Sequence, residues 1–203
     1  LAPLWLARAT AANVVAADAD AQVVQKQRNT LREHGAEERV RVRRVDYDRL
    51  GFAEGEFDAI LAAGEALSLE VAARALRRHL AADGRLCLTY PVRVGRHPNP
   101  AVLRLWEQKM GAPLLLPGEC LQAIEREGCE PQTAEVLDDA ALNAHYRELE
   151  QSLRSDEDDA RAAALREEVA LFRSQGGRSS ASFAVLVARR REPGERPPRA
   201  HGE

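Results

Sequence analysis

The run Asn13-Val14-Val15-Ala16-Ala17-Asp18-Ala19-Asp20 constrains this chain more than any other stretch. It is apolar, too short for a helix, ends on acids and opens into a helical pattern, which is how a buried parallel strand reads. In open α/β sheets ligands bind beyond the carboxyl ends of the strands, and an acid there can accept hydrogen bonds from both hydroxyls of a ribose. Asp18 is therefore the first candidate for a nucleoside contact, with Ala19 beside it. Asp20 stands where a helix N-cap is wanted and can accept from the free N–H groups of the first turn.

The surrounding pattern repeats strand and helix in alternation. Leu4–Ala12 reads as the end of a helix, and Ala21–His34 as a second, with Val24 and Leu31 on one face and Gly35 as its stop. Arg39–Val45 alternates charge and apolar side chains, the mark of a strand near a sheet edge, and runs into Asp46-Tyr47-Asp48. Phe57–Ala63 is another short apolar strand. Leu69, Ala72, Ala73, Leu76 and Leu80 then share a helical face, and Arg85–Tyr90 is a strand that Pro91 closes. Such spacing implies right-handed βαβ crossovers and a parallel sheet. Two longer segments follow, 92–118 with a helix over Ala101–Met110, and 138–177 with a helical pair. Between and after them come a helix at Glu119–Glu127 and strands at Glu130–Val136 and Ser182–Ala188. The polar tail 189–203 is expected to be disordered.

Composition narrows the function classes. A length of 203 residues suffices for one α/β domain with a real core, here 1–188. A net charge of -3 spread over mixed signs gives no basic field for nucleic acid. Cys87, Cys120 and Cys129 have no CxxC spacing and suit a reducing cytosol, so a cytoplasmic protein is expected. No run reaches the length of a membrane helix, and the scattered histidines make no metal-ligand spacing.

Four elements in order, VVAADAD at 14–20, VRRVDYDRLGFAEGEFDAIL at 42–61, LAADGRLCLTYP at 80–91 and EREGCEPQTAEVL paired with SASFAVLVARR, resemble the class I S-adenosylmethionine-dependent methyltransferases. The resemblance covers most of 1–188. It implies a Rossmann-like α/β fold, a mostly parallel sheet with an antiparallel last strand and helices on both faces, and S-adenosylmethionine as cofactor. It puts the ribose-binding acid on Asp18 and the acid near the adenine on Asp46, with Tyr47 bracketing the base. Ala62, Ala63 and Gly64 would lie beside the methionine part, and Glu65 would face the substrate. Taken alone, Asp46 also fits an Asx turn and Glu65 a helix cap.

The family's glycine-rich turn between first strand and first helix has no counterpart here. The first central strand and that loop are expected to lie upstream, leaving a gap in the sheet and weak cofactor binding by the chain as it stands. The segments 92–118 and 138–177 are read as a helical cap over a small-molecule acceptor, with Tyr90, Arg93, His97 and Tyr146 as available polar or aromatic contacts. For Trp106 and Tyr146 the plainer role is packing. The same helices offer a face for a homodimer. Two other readings compete with methyl transfer: a catalytically silent relative that binds a partner, and a nicotinamide-dependent Rossmann oxidoreductase, which also ends its second strand on an acid.

Overall fold

The computed structural model describes residues 2–47, 49–63, 68–153 and 160–191, and these divide between two compact units, 1–52 and 53–203. In the first unit α1 (Ala2–Ala9), β1 (Val14–Asp18), α2 (Ala21–Glu33) and β2 (Val40–Arg44) follow in order. β1 and β2 pair in parallel from Val14↔Val40 to Asp18↔Arg44, so both strands end at the same edge. The pair closes because each element gives a small apolar contribution to one cluster: Leu4 and Ala7 from α1, Ala16, Leu31 and Val40. Asp20 caps α2 as expected, its carboxylate accepting the Gln22 N–H over 2.7 Å. Arg39 fastens the approach to β1 by donating to the carbonyls of Thr10 and Ala12 at 2.7 and 3.0 Å.

The second unit holds β3 (Phe57–Ala63), α3 (Leu69–Arg77), β4 (Leu80–Arg93), α4 (Pro100–Met110), α5 (Pro117–Arg126), β5 (Cys129–Val136), α6 (Asp139–Ser152), α7 (Ala160–Arg173) and β6 (Ala181–Arg190). Its sheet runs β3-β4-β6-β5, parallel between β3 and β4 and antiparallel on both sides of β6. The core beneath it joins Leu69 and Ala73 of α3 and Cys120, Ala123 and Ile124 of α5 to Leu86, Leu88, Val92, Ala184 and Leu186 of the sheet.

Several boundaries differ from the sequence reading: Arg189 and Arg190, expected in the disordered tail, instead complete β6, and the rest of that tail from residue 192 lies outside the described residues. Leu80 does not extend the α3 face; it opens β4, pairing with Phe57, after which Ala81–Gly84 loops out before the ladder resumes at Ala59↔Arg85. Nor does Pro91 close the strand, which continues to Arg93. β3 ends opposite Thr89, so at Pro91 the strand has β6 on one side only, and a residue without an N–H is tolerated there.

β4 and β5 end at the edge where β6 begins, with Val92 opposite Ser182 and Val136 opposite Ala184. The excursions carrying α4 and the α6–α7 pair leave from that edge. Asn99 starts α4 by capping the Ala101 N–H at 2.9 Å, and its own N–H donates to Ser180 Oγ at 2.7 Å, which fixes the entry to α4 against the entry to β6. Trp106 meets Phe183 edge-on at 5.5 Å, and Tyr146 lies stacked on Phe172 with ring centres 3.7 Å apart. Trp106 and Tyr146 both lie against neighbouring aromatic rings. Among the described residues no helix is long and apolar enough to cross a membrane.

Candidate functional site

At the carboxyl edge of the first unit, a short apolar strand delivers Asp18, and the turn after β2 delivers Asp46 and Tyr47. Asp18 is half-buried. Its Oδ1 accepts the Asp20 N–H at 2.8 Å, and the described residues give this carboxylate no other hydrogen bond, so Oδ2 can take a ligand's hydroxyl. Asp46 is exposed and forms a tight turn with Arg49, whose N–H donates to the Asp46 carbonyl at 2.9 Å. Arg44, opposite Asp18 in the ladder, turns its Nε to the Ala19 carbonyl at 3.1 Å. This holds the Asp18–Ala19 backbone to the end of β2.

Tyr47 reaches back to the same place. It is half-buried, and burial first and the Asp18 carboxylate second push its phenol above the ordinary range, partly offset by a hydrogen bond from the Ala19 backbone. Asp18, Ala19, Asp46 and Tyr47 are therefore brought together as a neutral phenol beside an ionisable carboxylate with spare acceptor capacity. That donor set fits the hydroxyls of a ribose and the flat face of a base.

In the second unit Ala62 and Ala63 end β3, the first half-buried and the second exposed. Gly64 and Glu65 lie outside the described residues. The cap of the following helix is Ser68, whose hydroxyl accepts the Val71 N–H at 3.4 Å. Tyr90 packs on the sheet core, Arg93 sits half-buried at the end of β4, and His97 is exposed on the loop before α4. Tyr146 is withdrawn from solvent, with its hydroxyl on Glu168 Oε1 at 2.9 Å.

Sequence reasoning missed Glu168 and Lys109. Glu168 is buried in α7 and also accepts from the Lys109 ammonium of α4. The signal was present: Leu165, Glu168 and Phe172 stand at i, i+3, i+7, so the acid interrupts an apolar stripe, and Lys109 similarly continues the stripe of Val102 and Trp106.

Residues 2–84 match the family model of a methyltransferase domain. No curated protein matches the chain. Among solved structures, the chain is similar to the [4+2]-cyclase SpnF at 22% identity and TM-score 0.72, covering 93% of this chain and 70% of that one. It is similar to an S-adenosylmethionine-dependent methyltransferase from Thiobacillus denitrificans, in complex with S-adenosylhomocysteine, at 17% and 0.65, covering 94% and 80%. A third likeness is to geranyl diphosphate C-methyltransferase from Streptomyces coelicolor A3(2), at 16% and 0.64, covering 92% and 66%. The fold is that of the Rossmann-like methyltransferases, and the family match falls on the stretch that carries Asp18, Asp46 and Tyr47.

Proposed function

We propose that this chain binds S-adenosylmethionine and transfers its methyl group to a small-molecule acceptor. The observation that carries the reading is the Asp18 carboxylate, poised at a parallel strand end with one oxygen spoken for and one available. Asp18 takes the ribose hydroxyls, and Tyr47 with the Asp46 turn borders the adenine. When bound, the cofactor would supply an electrophilic methyl on a sulfonium, which the acceptor would take in line while the C–S bond breaks and S-adenosylhomocysteine leaves. What the chain contributes is orientation and the exclusion of water, and such positioning needs no acid or base of its own. The α4, α6 and α7 helices are the natural wall for the acceptor. The two methyltransferases among the similar structures are both complexes with S-adenosylhomocysteine, which supports the assignment.

A second reading keeps the scaffold without methyl transfer. The likeness to a [4+2]-cyclase favours it, since a similar fold there carries a different activity. Calorimetric titration of S-adenosylmethionine and S-adenosylhomocysteine separates the two. It should be done on this chain and, in parallel, on the chain preceded by whatever its gene encodes upstream. Binding by either form that is weakened by Asp18→Asn supports methyl transfer. Absence of binding in both overturns it.

A further inference from the structure

Between α4, α6, α7 and the start of β6 lies a small hollow walled by Val102, Leu105 and Trp106 on one side and by Leu171 and Phe172 on the other. Its polar side chains are Glu168 and Tyr146, and Tyr146 is the residue that α6 contributes to the wall. Glu168 is only 4% exposed, yet both its oxygens are engaged: Oε1 by the Tyr146 hydroxyl, Oε2 by the Lys109 ammonium. Lys109 is itself mostly covered and lies 5.1 Å from the centre of the Trp106 ring. Packing does not require such a cluster, because apolar residues of similar volume commonly replace a buried ion pair at no loss of stability.

We infer that Tyr146 is the gate of an acceptor seat within these helices. In the closed form its own ring and hydroxyl fill that seat. When it swings out, a neutral molecule of single-ring size with one hydroxyl stacks on Phe172 and donates to Glu168 in its place. The inference deepens the methyl-transfer reading and rests on it for the seat's purpose. Charge decides the class of ligand. Lys109 already matches Glu168, so an incoming ammonium would be desolvated with no charge left to meet it, and an incoming carboxylate would face a like charge. A hydroxyl restores the hydrogen bond that Tyr146 gives up. Size follows from the same contacts: the hollow has little room to spare as it stands, so the space for a ligand is the space Tyr146 vacates.

The chain has two tryptophans, and Trp5 is 67% exposed on α1, so Trp5→Phe leaves the buried Trp106 as sole reporter beside the hollow. Its emission is followed while 4-methylbenzyl alcohol, 4-methylbenzylamine and 4-methylbenzoate are titrated in turn. The alcohol should give a saturable change, and the amine and carboxylate should bind about tenfold or more weakly, the mark of a site built around one hydrogen bond. Adding Tyr146→Ala should tighten the alcohol about tenfold, because the competing closed form is gone. In the apolar exchange Lys109→Met with Glu168→Leu, which leaves no lone buried charge, the advantage of the alcohol over p-xylene should vanish. No saturable response to the alcohol with or without the Tyr146→Ala change overturns the inference, as does equal binding of the amine or the carboxylate. Cofactor titration of the same proteins separates the two claims: cofactor bound without a probe response removes the seat alone, and a probe response without cofactor removes only methyl transfer.

Discussion

Asp18 accepts the Asp20 N–H at 2.8 Å while Asp20 accepts the Gln22 N–H at 2.7 Å, so two acids two residues apart form a chain of hydrogen bonds leading from the strand end into the first turn of α2. The first link is compatible with an amide oxygen. Asp18→Asn should therefore leave the denaturation midpoint almost unmoved. Cofactor affinity should nevertheless drop by about 1–3 kcal/mol, the scale of a lost charge-assisted hydrogen bond. Paired calorimetry and denaturant titration check this, and unchanged affinity would remove Asp18 from the ribose role.

Tyr47 should titrate late. Its folded-state pKa is raised, so the folded chain holds a proton that the unfolded chain releases, and stability from this source is full below the ordinary phenol value and lost as pH climbs from there through the raised folded-state value. Of three tyrosines, Tyr47→Phe should remove one ionisation that lies above the ordinary phenol value from the phenolate absorbance titration. Loss of an ionisation at the ordinary phenol value instead would mean that burial and Asp18 do not act on it.

Cys120 gives an alkaline counterpart in the second unit. Burial first, then the charges of Glu119 and Glu70, push its thiol up to about 12. Between the ordinary thiol value and that pH the folded state keeps a proton the unfolded state has lost, and stability should fall by up to about 1.4 kcal/mol per pH unit from this group. Cys120→Ala lowers stability at neutral pH by opening a gap in the core, yet its alkaline decline should be shallower. Denaturant midpoints across the alkaline range decide it, and parallel slopes would count against the shift.

Two glycines make an internal comparison. Gly95 has φ +77°, and a side-chain carbon there would stand 2.2 Å from the Ser179 carbonyl oxygen. Gly111, which ends α4 at φ +67°, would meet nothing within 4 Å. Gly111→Ala should cost about 1–2 kcal/mol, the left-handed backbone alone. Gly95→Ala adds overpacking of about 1–3 kcal/mol to the same backbone cost. Equal losses in chemical denaturation would show that the turn at Ser179 gives way.

Local chemistry made much of this architecture legible. Val14–Asp18 carries its strand in five residues, and Asp20, Asn99 and Asp138 start their helices through side-chain caps readable from residue type. The carboxyl-edge acids follow from the same reading, since a strand's end fixes where its last side chains stand. Whatever depends on a neighbour far along the chain was hidden. Pro91 looks like a terminator until one knows that β3 has already stopped beside it, and Leu80 continues a helical period until Phe57 claims it for the ladder. Glu168 shows in the sequence only as an acid interrupting an apolar stripe, because the folded arrangement alone brings Lys109 and Tyr146 to it from positions 59 and 22 residues earlier in the chain.

The central ladder of the second unit has a bearing on how the chain reaches its native state. β4 finds its antiparallel partner in β6, and residues such as Leu88 and Leu186, both in the core, are nearly a hundred positions apart. Pairings of that separation are slow, because a long loop must be closed before any contact rewards it. During synthesis β3, β4 and α3 emerge early but cannot complete their core until the last strand has cleared the ribosome. The interval is one in which the apolar strands stand open to association, and a stop codon a dozen residues short of Arg190 would make that interval permanent.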